Sequence, residues 1–334
     1  MTRARLIALV AASALAAFAA HGCSPDGDPP TPKLDVGGCT APAGADVVYS
    51  ESFDGAALFV YDLIADGAGI YWQSSGVWMF TGKDGATQLD TRYASDLTVD
   101  AQNVYWRSNQ SINWASKRTL GIASFTTTTY LLGLAVDATH LYYAASGAEA
   151  FDAGNATAFS ITRVPLGKSG PQERLLTSRD SYGVQMSPLV AFRGALYWFD
   201  SMNGLQRLVP GDAAPVQLAA YEGEVPSRLV LDGRGAYWMY SDPATNRRHL
   251  VALTFGGDAP VVVATIDQYF YGAQLALDDA YVYFSENGNV MKLDRATGAI
   301  SKAVTSGSSF AISARDIYVA SQCNGQVFVT KSPK

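Results

Sequence analysis

The residues that could carry out acid–base or nucleophilic chemistry are few, and none falls in a catalytic spacing. Beyond the first 22 residues the chain has two histidines, His140 and His249, and either could act as a general base beside a carboxylate. The sequence contains no G-x-S-x-G, H-E-x-x-H or G-x-x-x-x-G-K-[ST] motif, and its cysteines and histidines lack zinc-ligand spacing. The sequence therefore favours a protein that is not an enzyme, without deciding the question, and predicts no metal or cofactor.

A second set of candidate residues is acidic and repeats along the chain. Five aspartates occupy one slot of a recurring phrase: Asp66, Asp100, Asp137, Asp232 and Asp278. Two further copies carry Phe192 and Ser313 there. An aspartate can bond backbone N–H groups two residues on and hold a turn, whereas several carboxylates together could bind a metal. Because equivalent positions of a repeat protein are spread over the molecule, we expect these side chains to hold turns.

The phrase itself predicts the fold. It starts with a leucine-led apolar run and ends on a tyrosine that tryptophan usually follows, as in LIADGAGIYW and LVLDGRGAYW. Its seven tyrosines are Tyr71, Tyr105, Tyr142, Tyr197, Tyr237, Tyr283 and Tyr318. A period of roughly 35–55 residues built from short strands is typical of a β-propeller. The sequence therefore predicts an all-β fold, a seven-bladed β-propeller of four-stranded antiparallel blades, with the tyrosines and tryptophans filling the wedge between blades.

The ends of the repeat region predict how the ring closes. The seventh copy lacks a fourth strand, and the segment DVVYSESF at 46–53 has no blade of its own. We therefore expect the N-terminal strand to complete the last blade. Closure would bring Cys39 toward Cys323, and a disulfide between them is one expectation, with two independent buried thiols as the alternative.

The first residues resemble a bacterial export signal. Arg3 and Arg5 precede an apolar run that is too short to span a bilayer. The following Ala20-His21-Gly22-Cys23 resembles a lipobox, which would place a lipid on Cys23; ordinary cleavage after residues 17–19 is the alternative. The sequence thus predicts a lipoprotein signal peptide at 1–22, a flexible Pro- and Gly-rich tether at 23–44 and the propeller at 45–334. The protein would be exported and lipid-anchored to the bacterial cell envelope, at the outer membrane.

The charge of the chain limits its partners. Removing residues 1–22 takes away two arginines and no acids, so the net charge goes from −6 to −8. An acidic surface is unsuited to nucleic acid or to anionic lipid. We therefore expect no nucleic-acid partner, membrane contact through the N-terminal lipid only, and a monomer.

Repeat segments such as ITRVPLGKSG at 161–170 resemble the repeats of uncharacterised bacterial propellers, and more widely those of NHL-like and YVTN-like propellers. The resemblance covers residues 46–330. It implies a fold and no single activity, since that group includes binding scaffolds, outer-membrane assembly factors and a few lyases or hydrolases. It also implies that the loops entering each first strand share one face with the loops leaving each second strand.

Aromatic residues before the first strands make that face a candidate binding rim. Phe59, Tyr93, Tyr130 and Tyr271 each precede the leucine of the phrase by four residues, and Tyr182 and Tyr221 lie further back. Arg247 and Glu286 are among the polar residues of the same face, where acids outnumber bases. The aromatic residues could form a collar for a small neutral or cationic ligand, or each could pack on its neighbouring blade. Residues 144–160 and 177–187 are longer loops that could carry function or serve as slack.

The function expected from these features is a membrane-anchored β-propeller of the cell envelope that acts as a ligand- or protein-binding scaffold. Its partner would be an envelope protein or a small neutral or cationic ligand. The alternative is a propeller lyase or hydrolase acting on an exported saccharide or peptide-like substrate. That alternative requires His140 or His249 to face the channel mouth beside an acid.

Overall fold

The computed structural model describes residues 46–52, 60–81, 86–127, 130–146, 159–166, 171–178, 188–200, 203–220, 226, 228–242, 244–245, 247–257, 259–266, 274–305, 309–323 and 326–334. Cys23, Cys39 and the predicted signal and tether segments lie outside these residues, so the lipid anchor and the pairing of Cys39 with Cys323 stay predictions. Within the described part of the chain, no helix is long and apolar enough to cross a membrane.

The described residues form β-strands that fall into seven groups of four. Blade 1 contains β2 (Asp62–Ala65), β3 (Ile70–Gln73), β4 (Val77–Phe80) and β5 (Ala86–Asp90). Blade 2 contains β6 (Ser95–Val99), β7 (Asn103–Ser108), β8 (Ser111–Ser116) and β9 (Ile122–Thr126). Blade 3 contains β10 (Tyr130–Val136), β11 (His140–Ser146), β12 (Phe159–Pro165) and β13 (Glu173–Ser178). Blade 4 contains β14 (Val190–Phe192), β15 (Ala195–Asp200), β16 (Gly204–Leu208) and β17 (Val216–Ala219).

The remaining blades follow the same plan. Blade 5 contains β18 (Arg228–Leu231), β19 (Gly235–Asp242), β20 (Arg247–Thr254) and β21 (Val261–Ile266). Blade 6 contains β22 (Leu275–Leu277), β23 (Tyr281–Glu286), β24 (Asn289–Asp294) and β25 (Ile300–Val304). Blade 7 contains β26 (Ser309–Ile312), β27 (Asp316–Cys323), β28 (Gln326–Pro333) and β1 (Asp46–Ser52).

The predicted ring closure is confirmed. The first strand of the described chain, β1, pairs antiparallel with β28, and Ser50 lies opposite Phe328 in the register. The innermost strands contact one another in the order β2, β6, β10, β14, β18, β22 and β26, and β26 contacts β2. The fold is therefore a closed seven-bladed β-propeller, and its last blade combines both ends of the described chain.

The core lies in the gaps between blades. A hydrophobic cluster fills each of the seven junctions between neighbours. Successive side chains of a strand point to opposite faces, so Tyr71 packs against Leu97 of blade 2 while Trp72 packs against Val329 of blade 7. Tyr71 and Trp72 are fully buried. The repeated aromatic pair is thus the residue set that joins each blade to both of its neighbours, as the sequence predicts.

The repeated aspartates hold turns, also as predicted. In each of the five copies, the Oδ1 atom accepts hydrogen bonds from the amides two and three residues on, as Asp100 does from Gln102 and Asn103 at 2.7 Å. Ser313 makes the same two bonds through its hydroxyl. The Phe192 copy turns instead through Arg193 and Gly194, which both have positive φ.

One loop prediction needs a correction. Within the predicted loop 144–160, residues 144–146 belong to β11 and residues 159–160 belong to β12, so this hairpin has longer strands than the sequence suggests. Residues 177–178 likewise belong to β13. Small and polar residues such as Ala145 and Ser160 pair in the ladder because their neighbours supply the packing. Residues 147–158 and 179–187 lie outside the described residues.

Candidate binding face

The antiparallel blades give the ring two distinct faces. The first strand of each blade begins on one face, where the hairpin between the second and third strands also lies; we name it the mouth face. The turn between the first and second strands and the connection between the third and fourth strands lie on the other face, which we name the turn face. The mouth face is the one on which the sequence predicts a binding rim.

Among the residues that the structure describes, three tyrosines are exposed on the mouth face. Tyr93 and Tyr130, both predicted, are 69% and 61% exposed, and Tyr61, which the sequence analysis missed, is 47% exposed. The rings of Tyr61 and Tyr93 lie edge to face with centroids 6.4 Å apart. Phe59, Tyr182, Tyr221 and Tyr271 lie outside the described residues. We call Tyr61, Tyr93 and Tyr130 the tyrosine rim.

The two predicted polar residues lie at hairpin ends of the same face. Arg247 is exposed at the start of β20 and stands opposite Asp242 in the ladder. Glu286 is half-buried at the end of β23, opposite Asn289. Both come from the second and third strands of their blades, so they lie outside the circle of first strands.

The centre of the mouth face holds an ion pair that crosses the ring. The Arg228 guanidinium at the start of β18 donates to the Asp62 carboxylate at the start of β2, and to the carbonyl oxygen of Tyr61 at 3.3 Å. Gln274 of blade 6 donates to the same carbonyl at 2.7 Å. Blade 5 and blade 1 are not neighbours, so Arg228 bridges the central channel.

A second ion pair lies beside the first. The Arg107 guanidinium in β7 bonds the Asp96 carboxylate, and it donates to the Leu131 carbonyl of blade 3 at 2.6 Å. Asp96 has a positive φ of 52° within an irregularity of the β6–β7 ladder. Burial raises the pKa of Asp96, although the Arg107 charge and hydrogen bond act against it. Two carboxylates and two guanidinium groups therefore meet at the channel mouth.

The sequence carries a signal for these residues. Asp62, Asp96, Arg228 and Gln274 all stand immediately before the leucine of the phrase. In these four blades the slot lies at or beside the start of the first strand, at the mouth end, where the two ion pairs form. An alignment of the seven copies shows a polar residue at this slot in most blades, but its type varies, and which of them pair depends on distances across the ring.

Neither candidate histidine faces the channel mouth. His140 begins β11 on the turn face, where its Nδ1 lies 2.8 Å from the Thr139 hydroxyl. His249 lies in β20, a third strand, with its Nδ1 3.1 Å from the Thr265 hydroxyl of the fourth strand. His140 therefore lies on the turn face, and His249 lies near the Asp242 carboxylate but bonds toward the outer strand of its blade.

The turn face is joined by cations that reach from one blade to the previous one. Arg295 of blade 6 bonds the Asp232 carboxylate of blade 5 at 2.6 Å and lies 5.2 Å from the Tyr237 ring centroid. Lys117 makes the same contacts with Asp66 and the ring of Tyr71. Lys334 makes them with Asp278 and the ring of Tyr283. We call these three contacts the cation latches.

Four phrase tyrosines are hydrogen-bonded to the aspartate of their own turn, whether or not a latch cation is present. Tyr71, Tyr105, Tyr142 and Tyr283 donate their hydroxyls to the aspartate of their own turn at 2.7–3.2 Å. Burial, helped by that carboxylate, raises the pKa of each of these tyrosines. Burial alone would raise the pKa of Asp232, but hydrogen bonds from Arg295 and the turn amides outweigh it and leave the pKa below its usual value. The tyrosine–aspartate bonds stabilise the turn within each blade, whereas the latches join one blade to the next.

Comparison with known proteins supports the fold and no further identity. No protein-family model matches the chain, and no curated protein matches its sequence. The WD40 domain of Neurospora crassa Pan2 is similar in structure, with a TM-score of 0.60 at 10% identity over 87% of this chain and 96% of that one. A chain of the mitotic checkpoint complex gives 0.58 at 11% identity over 92% of this chain and 100% of that one.

An extracellular domain is also similar. It belongs to BT4673, a putative one-component system of B. thetaiotaomicron, and gives a TM-score of 0.58 at 12% identity over 85% of this chain. This chain spans 39% of that one. At these identities the likeness concerns architecture alone, and it places this chain among proteins with the seven-bladed β-propeller fold.

Proposed function

We propose that this protein is an exported, lipid-anchored β-propeller of the bacterial cell envelope and that it binds a protein or a small neutral or cationic ligand on its mouth face. The observation that carries the proposal is the tyrosine rim. Three large aromatic side chains are exposed together on the face that surrounds the channel mouth. Exposed aromatic groups on a rigid scaffold are typical of binding surfaces.

The backbone beneath the rim is held in place. The carbonyl oxygen of Tyr61 accepts bonds from Arg228 and Gln274, and the carbonyl next to Tyr130, that of Leu131, accepts one from Arg107. The carbonyl next to Tyr93, that of Ala94, accepts one from Gln73. Fixing these strands in advance lowers the entropy lost on binding. Tyrosine also presents a large area with only two side-chain torsions.

The charges of the mouth suit a neutral or cationic partner better than an anionic one. At the centre, the described residues include two carboxylates, which are matched by two guanidinium groups. The whole chain is acidic, with a net charge of −6. An anionic ligand would therefore meet repulsion on approach, whereas a neutral or cationic partner would not.

The known propellers provide a consistent setting. The BT4673 propeller is an extracellular domain, and the checkpoint chain takes part in a protein complex. A propeller scaffold in the envelope would use the same architecture. The lipid on Cys23 would hold the ring near the membrane, with residues 23–44 as the tether.

The test uses a double variant of the rim, Tyr93→Ala with Tyr130→Ala. Its matched control is Ile122→Ala with Val261→Ala, because those side chains are also more than half exposed but lie on outer strands. Partners are captured by crosslinking in intact envelopes, purified, and titrated against each variant. We expect the rim variant to bind at least about tenfold more weakly and the control to bind normally. If the rim variant and the control bound the partner equally well, the tyrosine rim would not be the binding site. If the protein isolated from cells were soluble and carried no lipid, the proposed anchor would be wrong.

A further inference from the structure

A cavity of about 710 Å³ opens on the turn face, where blades 6, 7 and 1 meet. Its walls are the turns between the first and second strands of these three blades, together with Lys334. It shares no residue with the tyrosine rim and lies on the opposite face of the ring. Its volume falls within the range of about 300–1,000 Å³ that is usual for small-molecule sites.

The turn face holds cations in a repeated arrangement. Each of the three cation latches sets a protonated side chain against an aspartate carboxylate and over a tyrosine ring, with the charge 5.0–5.6 Å from the ring centroid. Lys117 and Arg295 also donate to the carbonyl oxygen of the next turn, that of Asp100 and of Asp278 respectively. The repeat therefore builds cation-binding positions from a tyrosine, a carboxylate and a turn carbonyl.

The cavity brings a variant of the same set together. Tyr318, the tyrosine of the seventh phrase, lines it beside the turn of blade 1 that contains Asp66. Ser313 replaces the usual aspartate and keeps the turn bonds. Among the described residues, no group accepts a hydrogen bond from the hydroxyl of Tyr318. A carboxylate of the same blade, that of Asp316, also lines the cavity and lies two residues before Tyr318 in β27.

Two opposite charges in the cavity are available to a ligand. Lys334 is paired with Asp278 at 2.8 Å, and Asp66 is paired with Lys117. Asp316 and Arg315 line the same space, and neither forms an ion pair with another described residue. Arg315 is exposed at the lip and Asp316 is half-buried. Among the described side chains that line the cavity, the charges not already matched are therefore one cation and one anion.

We propose that this cavity binds a small zwitterion of the amino-acid class. Its ammonium group would lie against the Asp316 carboxylate and over the Tyr318 ring, as the latch cations do in their junctions. Its carboxylate would pair with the Arg315 guanidinium, whose planar donors match a carboxylate in two-point geometry. Leu277 and Ile312 offer apolar wall for the carbon skeleton. This site does not depend on the function proposed for the mouth face.

The first experiment titrates the purified protein calorimetrically with matched ligand sets. L-leucine is compared with 3-methylbutylamine and 4-methylpentanoate, and L-phenylalanine with 2-phenylethylamine and 3-phenylpropanoate. Each counterpart lacks one of the two charges. We expect an amino acid to bind at least about tenfold more tightly than both of its counterparts, since each loses one charged contact. Absence of binding by both amino acids at millimolar concentration, or equal binding by a counterpart, would overturn the proposal.

Variants then assign the two charges. Asp316→Asn should weaken the binding of the amino acid and of the amine at least about tenfold and leave the binding of the carboxylic acid unchanged. Arg315→Gln should weaken the binding of the amino acid and of the carboxylic acid by a similar factor and leave the binding of the amine unchanged. Asp212→Asn, an exposed aspartate outside the cavity, is the matched control. The rim variant Tyr93→Ala/Tyr130→Ala should bind the amino acid normally. Circular dichroism confirms that each variant folds, and folded variants with unchanged affinity would disprove the assignment.

Discussion

The two faces of this ring are built from the same seven repeats, yet they use their polar residues differently. On the turn face, the repeated aspartate does the same work in each copy: it holds its own turn, and in three copies it also receives a cation from the next blade. On the mouth face, the slot before the leucine changes from blade to blade. There Arg228 and Asp62 pair across the channel instead of within a junction.

The difference separates residues that build the ring from residues that can recognise something. A residue repeated in most blades satisfies a requirement of every blade, here a turn and a wedge-shaped gap. A residue that differs at a repeated slot is not required by every blade: it can join one particular pair of blades, as the latch cations do, or it can serve recognition. Asp62, Arg228 and Asp316 are of this second kind, and each lies at an opening of the ring.

The largest expected effect tests the turn face. Asp232→Ala leaves the Arg295 guanidinium, whose side chain is 3% exposed, without its carboxylate. Removing one partner of a buried pair leaves an uncompensated charge, so we expect the free energy of unfolding to fall by about 3 kcal/mol. Urea denaturation at pH 7 measures it.

The control for this variant is Asp212→Ala, which changes an exposed aspartate of the same face. It should alter the free energy of unfolding by no more than about 0.5 kcal/mol. If Asp232→Ala lowered the free energy of unfolding as little as the control does, the latch would be an ordinary surface contact. The turn face would then not stabilise the ring more than the mouth face does.

A smaller effect is expected on the mouth face. Arg228→Ala removes the cross-channel pair with Asp62 and one bond to the Tyr61 carbonyl, but Gln274 still holds that carbonyl. Because the Arg228 side chain is partly exposed, we expect the free energy of unfolding to fall by about 1 kcal/mol. A loss as large as that of Asp232→Ala, measured in the same urea series, would mean that the mouth face also holds the ring together.

The sequence predicts the turn face far better than the mouth face, for a physical reason. The roles of Asp100 and Tyr105 follow from local rules, since an Asx turn and a buried aromatic need only near neighbours. Ring closure by β1 follows from counting strands. The Arg228–Asp62 pair joins residues from blades that are not neighbours, and no local pattern encodes that distance.

The cation latches were also missed. Lys117 and Arg295 lie just after third strands, where other blades carry Leu166 or Phe255, so the basic residue is not part of the repeated phrase. The backbone hydrogen bonds identify the equivalent position in these blades and in blade 7. The residue at this position donates its backbone N–H to the carbonyl oxygen two residues after the turn aspartate, or after the serine that replaces it. Tyr61 was missed because the aromatic pattern of blade 1 pointed to Phe59.

The smallest expected effect is a difference in sign between two pH profiles. The pKa of Asp232 is lowered on folding, so its charge stabilises the fold above the unfolded pKa of about 3.9, and that contribution is lost as pH falls through the folded pKa. The pKa of Asp96 is raised, so ionising it costs stability as pH rises past about 3.9. Asp232→Asn should therefore become more destabilising, relative to the unaltered protein, between pH 3 and pH 7, whereas Asp96→Asn should become less so. Asparagine tolerates the positive φ at position 96, and urea unfolding across this range compares the slopes. If the destabilisation by both variants changed with pH in the same direction, the pKa of Asp96 would be lowered on folding, as that of Asp232 is. Arg107 would then outweigh the effect of burial at the channel mouth, as Arg295 does at the latch.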